Sequence, residues 1–208
     1  MKITLIGISN VGKTYWSKKL EKIGFKRFCC NDMIEKKLER ELKNEGFEDI
    51  KDVAKWLGQP FERQHKKHSK KYLELEKVVV QEVLSKLRYY DSNHSNIVVD
   101  TTGSVIYLED EILRTLKQLT TIVYLATSAD EQEEMYQSYL SNPKPVIWGE
   151  SFKRHNGESD METLQLCYPK LLEYRTSHYK RIAHLTVESA TIREAQFDTY
   201  QFLQMLSF

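Results

Sequence analysis

Short apolar runs alternate along this chain with longer segments in which apolar residues recur every three or four positions. Each short run has the composition of a buried strand, and each longer segment has the period of a helix. The short runs are Lys2 to Ile6, Arg27 to Cys30, Asn96 to Asp100, Thr121 to Ala126 and His184 to Glu188. This alternation predicts an α/β fold with a five-stranded parallel sheet and helices on both faces.

A long helical region, at about residues 31–95, separates the second predicted strand from the third. Its apolar residues at helical spacing are Ile50, Val53, Trp56 and Leu57, followed by Tyr72, Leu75, Val79 and Val83. Further helices are predicted within residues 108–119, 135–140, 164–182 and 192–206. We expect the inserted helical region to hold a second substrate.

The first predicted strand leads directly into a glycine-containing loop. Residues 7 to 14 read Gly-Ile-Ser-Asn-Val-Gly-Lys-Thr, a complete G-x-x-x-x-G-K-[ST] phosphate-binding pattern. Gly7 and Gly12 permit backbone conformations and a close approach that a Cβ would obstruct. The helix predicted to begin near Gly12 directs unpaired N–H groups at a bound phosphate.

This loop predicts binding of a nucleoside triphosphate with magnesium. Lys13 is expected to reach the β- and γ-phosphate oxygens, and the Thr14 hydroxyl is expected to bind Mg²⁺. The predicted nucleotide contacts are Gly7, Ser9, Asn10, Val11, Gly12, Lys13, Thr14 and Tyr15. The alternative is a glycine turn with an exposed lysine, but the preceding strand and the following helical pattern favour the phosphate loop.

Length and composition limit the remaining possibilities. The chain of 208 residues suits one domain, over residues 1–208, with a small inserted lid. Its 31 basic and 30 acidic residues nearly balance, so charge gives no reason to expect nucleic acid or a membrane as partner. The three cysteines have neither metal-ligand nor disulfide-framework spacing. Without a signal region or an apolar stretch of about 20 residues, we expect a cytoplasmic protein.

The segment at about residues 141–160 lacks a clean period and is interpreted as a mobile loop or lid. Its notable residues are Pro143, Pro145, Trp148, Gly149 and Gly157. Lys144 and Arg154, together with Lys153, are candidates to neutralise charge at the γ-phosphate. The alternative for these three residues is an ordinary solvated basic loop. Trp148 is a candidate to close over a bound ligand.

Two aspartates are candidates for chemistry. Asp100 ends the third predicted strand, where phosphate-loop enzymes hold the acid that binds magnesium directly or through water. The alternative for Asp100 is a cap for the helix predicted near Val105. Asp32 is the candidate general base, and its alternative is a residue of a first helical turn favoured by the helix dipole, with Asn31 as the N-cap.

With these features in place, the chain resembles the shikimate kinase family and, more loosely, the gluconate and nucleoside monophosphate kinases. The segments that carry the resemblance are Asn31-Asp32-Met33-Ile34-Glu35, Asp100 with Thr101-Thr102-Gly103, Lys144-Pro145-Val146, and Arg175 to Ala183. The resemblance implies a P-loop kinase fold, ATP rather than GTP, and a monomer. It also implies that Asn31, Asp32, Thr101, Thr102, Gly103 and Arg175 contact the acceptor substrate. For Arg175 the alternative is a surface salt bridge.

The positions that would hold shikimate are largely changed. The family's proton-accepting aspartate falls on Asn31, and an amide cannot accept a proton from a hydroxyl. The carboxylate-binding arginine of the Phe-Arg-x-x-Glu helix falls on Leu73, within Tyr72-Leu73-Glu74-Leu75-Glu76. Two glycines of the substrate turn have become Thr101 and Thr102. Shikimate itself is therefore not the expected substrate.

Two hypotheses for function follow. In the preferred one, the protein is a kinase that transfers the γ-phosphoryl group of Mg·ATP to a hydroxyl or phosphate of an unidentified metabolite. Catalysis then rests on positioning and charge neutralisation, with Lys13, Asp32, Asp100, Lys144 and Arg154 as the catalytic candidates. In the second, a kinase-like fold serves as a nucleotide-dependent binding or regulatory protein without turnover.

Overall fold

Five parallel strands form one sheet in the part of the chain that the structure describes. The structure is a computed structural model that describes residues 1–47, 52–90, 95–141, 146–194 and 196–206. The strands are β1 (Lys2–Ile6), β2 (Lys26–Cys29), β3 (Ile97–Asp100), β4 (Thr121–Ala126) and β5 (Leu185–Glu188). Their order is β2-β3-β1-β4-β5. The sheet predicted from the apolar runs is confirmed, with strand ends within one residue of those expected.

Nine α-helices are described between and after these strands. They are α1 (Lys13–Lys22), α2 (Cys30–Asn44), α3 (Val53–Leu57), α4 (His65–Tyr89), α5 (Asp110–Leu119), α6 (Ala129–Ser141), α7 (Asp160–Ile182), α8 (Ser189–Arg193) and α9 (Thr199–Met205). Two short 3₁₀ turns lie at Val105–Tyr107 and Gly149–Ser151. The inserted region is helical as predicted, with α2, α3 and α4. Among the described residues, no helix is both long enough and apolar enough to cross a membrane.

The inner strands of the sheet are covered on both faces. Successive residues of a strand point to opposite faces, yet every residue of β3 is buried and so is all of β4 after Thr121. On one side, Trp16 of α1 stacks on Phe202 of α9 with ring centroids 4.6 Å apart. This stacking fixes the last helix against the helix that follows the glycine loop.

The sheet register brings the candidate site together. Leu5 of β1 lies opposite Asp100 of β3, and Asp100 also lies opposite Cys29 of β2. The chain segments that leave these three strands therefore emerge side by side at the carboxyl edge of the sheet. In open parallel sheets this edge is where ligands bind.

The C-terminal prediction was wrong in one respect. The apolar spacing in residues 192–206 predicts one helix, whereas the structure has two short ones, α8 and α9. Asp198 begins α9 with a capping box, since its side chain accepts from the Gln201 backbone N–H and Gln201 returns a bond to the Asp198 backbone. This local cap starts a new helix and interrupts the apolar pattern.

Candidate nucleotide and acceptor site

The loop between β1 and α1 contains three residues with positive φ. Gly7 has φ +143°, and a Cβ at this position would lie 2.7 Å from the carbonyl oxygen of Leu125. Gly12 has φ +109° and is the N-cap of α1. Asn10, with φ +66°, is the described non-glycine residue in the left-handed region. The predicted need for both glycines is confirmed by these conformations.

Lys13 is held inside this loop. It is 6% exposed, and its Nζ donates to the carbonyl oxygens of Gly7 at 2.8 Å and Ile8 at 2.7 Å. Burial lowers the pKa of Lys13 to about 8, although the nearby Asp100 carboxylate acts in the opposite direction. The alternative of an exposed lysine on a glycine turn is therefore wrong.

A cleft of about 440 Å³ opens beside the loop. Its lining comes from seven parts of the fold: the glycine loop with α1, the helices α2, α3, α4 and α7, and the segments after β3 and before the second 3₁₀ turn. The lining residues are Ser9, Asn10, Gly12, Lys13, Thr14, Tyr15, Asn31, Glu35, Val53, Tyr72, Thr102, Gly103, Ser104, Ile147 and Arg175. The structure thus brings most of the predicted nucleotide and acceptor residues to one cavity.

Four of the predicted contacts do not line the cleft, namely Gly7, Val11, Thr101 and Asp32, the last of which is described below. Gly7 and Val11 are buried within the loop and do not line the cleft. Thr101 is buried, and its hydroxyl donates to the Leu5 carbonyl oxygen at 2.7 Å. Thr101 therefore ties the turn after β3 to the neighbouring strand β1, and its neighbours Thr102 and Gly103 face the cleft.

Asp100 is fully buried at the end of β3. Its Oδ2 accepts from Ser17 Oγ at 2.9 Å and lies 3.3 Å from the Arg27 guanidinium, while its Oδ1 has no hydrogen-bond partner among the described residues. The capping alternative is not supported, because the 3₁₀ turn at Val105–Tyr107 follows Ser104 without a side-chain cap. An unpartnered carboxylate oxygen and the exposed Thr14 hydroxyl are the hard oxygen donors that Mg²⁺ prefers. These residues fit the predicted ion.

Arg175 is a buried cation that lines the cleft beside the turn after β3. It is 4% exposed, its Nη2 donates to the Ile147 carbonyl oxygen at 2.6 Å, and its guanidinium carbon lies 5.8 Å from the centre of the Tyr107 ring. Its Nε has no hydrogen-bond partner, and no described carboxylate lies within 4 Å of it. The alternative of a surface salt bridge is therefore wrong for Arg175.

Glu76 was not among the predicted site residues. It is fully buried in α4, where its Oε2 accepts from Ser104 Oγ at 2.6 Å and its Oε1 accepts from the Thr102 hydroxyl. Burial raises the pKa of Glu76 to about 7, against the opposing effect of these hydrogen bonds and of Arg175. The sequence carried two signals: Glu76 lies on the apolar face of its helix, four residues after Tyr72, and it stands at the glutamate of the Phe-Arg-x-x-Glu pattern.

Asp32 lies outside the cleft. Its side chain is 68% exposed and 3.7 Å from Arg27. Helix α2 begins at Cys30, so Asn31 is not its N-cap, and Asn31 and Glu35 share the face that lines the cleft. Asp32 is thus a residue of the first helical turn, which was the alternative considered for it. Glu35 is the carboxylate that the structure places where Asp32 was expected.

The predicted lid is partly packed into the core. Val146, Ile147 and Trp148 are buried, and Trp148 contacts the rings of Tyr139, Phe152 and Tyr168. Trp148 is therefore a core residue and does not cover the cleft.

The predicted lid cations are not among the residues that line the cleft. Arg154 is exposed and pairs with Asp160 at 2.7 Å, and it also donates to the Glu158 carbonyl oxygen. Lys153 is exposed and likewise outside the cleft. Lys144 lies outside the described residues. The proposed action of these cations at a γ-phosphate stays a prediction.

Comparison with solved structures finds the same fold in several kinases. A shikimate kinase from Acinetobacter baumannii, solved in complex with shikimate, is 22% identical with a TM-score of 0.61, over 99% of this chain and 92% of that one. A shikimate kinase from Bacteroides thetaiotaomicron is 17% identical with a TM-score of 0.58, over 99% and 96%. A putative kinase from Chloroflexus aurantiacus is 14% identical with a TM-score of 0.51, over 99% and 92%.

The α/β fold of this chain is thus the P-loop kinase fold seen in shikimate kinases. A scan against protein-family models and a search of curated proteins found no match to the sequence. At these identities the likeness defines the fold, and the residues of the cleft have to carry any argument about substrate.

Proposed function

We propose that the protein is a kinase that transfers the γ-phosphoryl group of Mg·ATP to a small metabolite other than shikimate. One observation carries the proposal: Lys13 with its glycine loop, and Arg175 with the turn at Thr102 to Ser104, line the same cleft. Phosphoryl transfer needs a donor phosphate and an acceptor held in line, and catalysis comes chiefly from positioning and charge neutralisation.

The donor half of the cleft is supported by the loop geometry. The N-terminus of α1 at Gly12 supplies backbone N–H groups and the positive end of the helix dipole. The Lys13 side chain is already held by hydrogen bonds to two backbone carbonyl oxygens. It would therefore exchange these partners for phosphate oxygens without losing further conformational freedom. Its lowered pKa would rise again beside a phosphate, which would keep the ammonium form.

Magnesium would be held by the Thr14 hydroxyl and by Asp100, whose Oδ1 is without a hydrogen-bond partner. When bound, the ion neutralises charge on the transferred phosphoryl group. Ser17 and Arg27 hold the other oxygen of Asp100, so they fix the orientation of its carboxylate. We propose no part for Asp32 in this half of the cleft.

The acceptor half is formed by Asn31, Gly103 and Arg175, and shikimate suits it poorly. Among the described residues that line the cleft, Arg175 supplies the guanidinium group. The resemblance would place a second arginine at position 73, but this residue is Leu73. Asn31 orients a hydroxyl but accepts no proton from it. Glu35 lies one helical turn further along α2 and supplies the carboxylate of this wall.

Nucleotide binding is tested first by calorimetry. Mg·ADP is titrated into the wild-type protein, into Lys13→Ala and into Lys18→Ala, which removes an exposed lysine of the same helix. We expect micromolar binding that weakens by about tenfold or more in Lys13→Ala, the equivalent of losing one charge-assisted contact, and that is unchanged in Lys18→Ala. Both variants are first checked for a native thermal transition.

Turnover separates the two hypotheses for function. ADP release is measured with hydroxylated and phosphorylated metabolites, and release that depends on one acceptor supports the kinase. Nucleotide binding without turnover, together with a protein partner recovered only when nucleotide is present, would instead support a regulatory protein. If the wild-type protein does not bind Mg·ADP, both hypotheses for function are contradicted.

A further inference from the structure

Two buried groups of opposite charge flank the turn that lines the acceptor half of the cleft. Glu76 contacts the turn through Thr102 and Ser104, and the Nη1 of Arg175 lies 3.2 Å from the place where a Cβ of Gly103 would be. Neither group forms an ion pair within 4 Å among the described residues. A charge removed from water without a partner is unfavourable, so a bound molecule that pairs with it gains affinity.

When Glu76 is ionised, the hydroxyl groups between it and the cleft have a defined hydrogen-bond polarity. A hydroxyl has one hydrogen, and Ser104 Oγ uses it to bond Glu76 Oε2 at 2.6 Å. The Thr102 hydroxyl likewise donates to Glu76 and already accepts from the Ser104 backbone N–H at 3.0 Å. Both residues line the cleft. When Glu76 is ionised, Ser104 Oγ, which also lies 3.0 Å from the Thr102 hydroxyl oxygen, is therefore an acceptor toward the cleft, and the group that meets it must be a hydrogen-bond donor.

The charge behind these hydroxyls favours a cationic donor. Glu76 lies directly behind Ser104, and Leu73 adds no cation beside it. An ammonium group would donate to Ser104 Oγ, the same hydroxyl that donates to the buried Glu76 carboxylate. The ammonium and the carboxylate would then attract each other across a medium of low polarity. A neutral hydroxyl there would make the hydrogen bond without the gain from opposite charge.

We propose that the acceptor is a zwitterion, with an anionic group for Arg175, an ammonium group for Ser104 in front of Glu76, and a hydroxyl that receives the phosphoryl group. This inference rests on the proposed kinase function. It differs from a shikimate-type acceptor, because a simple hydroxy acid offers no cation to Glu76.

Several titratable groups act on Glu76 from the elements around it. They are Lys13 of α1, Cys30 of α2, Tyr72 of α4, and Arg175 and Tyr179 of α7. Of these, Lys13 and Arg175 carry positive charge and favour the ionised carboxylate. An added ammonium group would lower the pKa of Glu76 from about 7, so binding of a zwitterion near neutral pH would release protons.

The test compares matched ligands that differ in one group, by calorimetry in the presence of Mg·ADP. The pairs are L-serine with L-glycerate and L-homoserine with L-2,4-dihydroxybutyrate. Within a pair the ammonium is replaced by hydroxyl, and each ammonium member keeps a carboxylate for Arg175 and a free hydroxyl. We expect the ammonium member of at least one pair to bind about tenfold more tightly, as one charge-assisted contact would give.

Two variants show whether Glu76 is responsible. Glu76→Gln keeps the shape and removes the charge, and Ser104→Ala removes the acceptor oxygen. In both, we expect the preference for the ammonium member to fall below about threefold, while Mg·ADP binding is retained. Titrations near pH 7 in buffers of different ionisation enthalpy should show proton release in the wild-type protein and less in Glu76→Gln. A purely structural Glu76 would leave that proton release unchanged.

Equal binding within every pair, tighter binding of the hydroxy acids, or binding of no pair by protein that binds Mg·ADP would overturn the zwitterion proposal and leave the kinase standing. Failure of Mg·ADP to bind would instead overturn the kinase on which it rests. A preference that persists in Glu76→Gln would also contradict the inference, since another group would then select the cation.

Discussion

Gly7 occupies a position where the backbone geometry requires glycine. Its φ of +143° and the carbonyl oxygen of Leu125, 2.7 Å from a Cβ at this position, exclude any other residue without movement of the backbone. The sequence pattern predicted this glycine from the need to surround a phosphate. The structure adds a second reason, which is that β4 passes directly behind the loop.

Gly7→Ala should therefore be strongly destabilising. Two unfavourable effects combine, an unsuited φ and a backbone clash, and we expect a loss of about 2–4 kcal/mol in the free energy of unfolding. Gly157→Ala is the matched control, because Gly157 has φ +90° with nothing within 4 Å of an added Cβ, and should cost only about 1 kcal/mol. Urea denaturation measures both values. Similar losses for the two variants would contradict the clash with β4.

Glu76 makes the stability of the folded protein depend on pH. Its pKa in the folded protein, about 7, is above the ordinary value of 4.5. The contribution to stability is therefore complete below about pH 4.5 and is lost as the pH rises through 7.

Glu76→Gln should escape that loss. At pH 8 we expect the variant to be more stable than the wild-type protein by roughly 1–3 kcal/mol, with the difference vanishing near pH 4. Thermal denaturation between pH 4 and 8 measures this. Glu74→Gln, an exposed position of the same helix, is the control and should show no such trend. A Glu76→Gln protein that is less stable at pH 8 would refute the argument.

The direction in which the side chains of α2 point could not be predicted from the sequence. The prediction identified the correct segment but chose Asp32, because aspartate was the nearest carboxylate to the altered position Asn31. Successive helical residues differ by about 100° in direction. Asn31 and Glu35 therefore share a face toward the cleft, while Asp32 points to solvent beside Arg27. The helix start, which capping signals did not mark, decides this direction.

At the scale of elements, the strands were predictable and the C-terminal helices were not. Strands buried on both faces appear in sequence as unbroken apolar runs, and β1 and β4 match their predicted limits in full. The last helix depends on a cap at Asp198, which competes with an apolar spacing that continues through it. Apolar period alone does not show which of two such signals prevails.

Helix α9 is held chiefly by one aromatic side chain. Phe202 is fully buried and stacks on Trp16 of α1, while Tyr200 of the same helix is 68% exposed. Phe202→Ala should lose about 3 kcal/mol of unfolding free energy through the cavity it leaves, and Tyr200→Ala should lose less than about 0.5 kcal/mol. Chemical denaturation of the two variants provides the measurement. Equal effects would mean that α9 contributes little through this contact.

At the scale of the whole molecule, the cleft joins residues that are far apart in sequence. Ser9, Thr102, Ile147 and Arg175 line one cavity because the carboxyl ends of β1 and β3 are neighbours and α7 contacts the turn after β3, where Tyr179 donates to the Gly103 carbonyl oxygen. The motif predicted the donor half from eight consecutive residues. The acceptor half has no such local pattern, and the burial of Glu76 and Arg175 results from packing that spacing does not encode.

The central position of β1 also has a consequence for synthesis on the ribosome. β1 is the first strand made, yet its partners in the sheet are β3 and β4, where Ile3 lies opposite Val98 and Thr121. At roughly 5–20 residues per second, about 6–23 s pass between the synthesis of β1 and that of β4. Until then the glycine loop has no Leu125 behind it, so the loop completes its packing only after β4 has been translated.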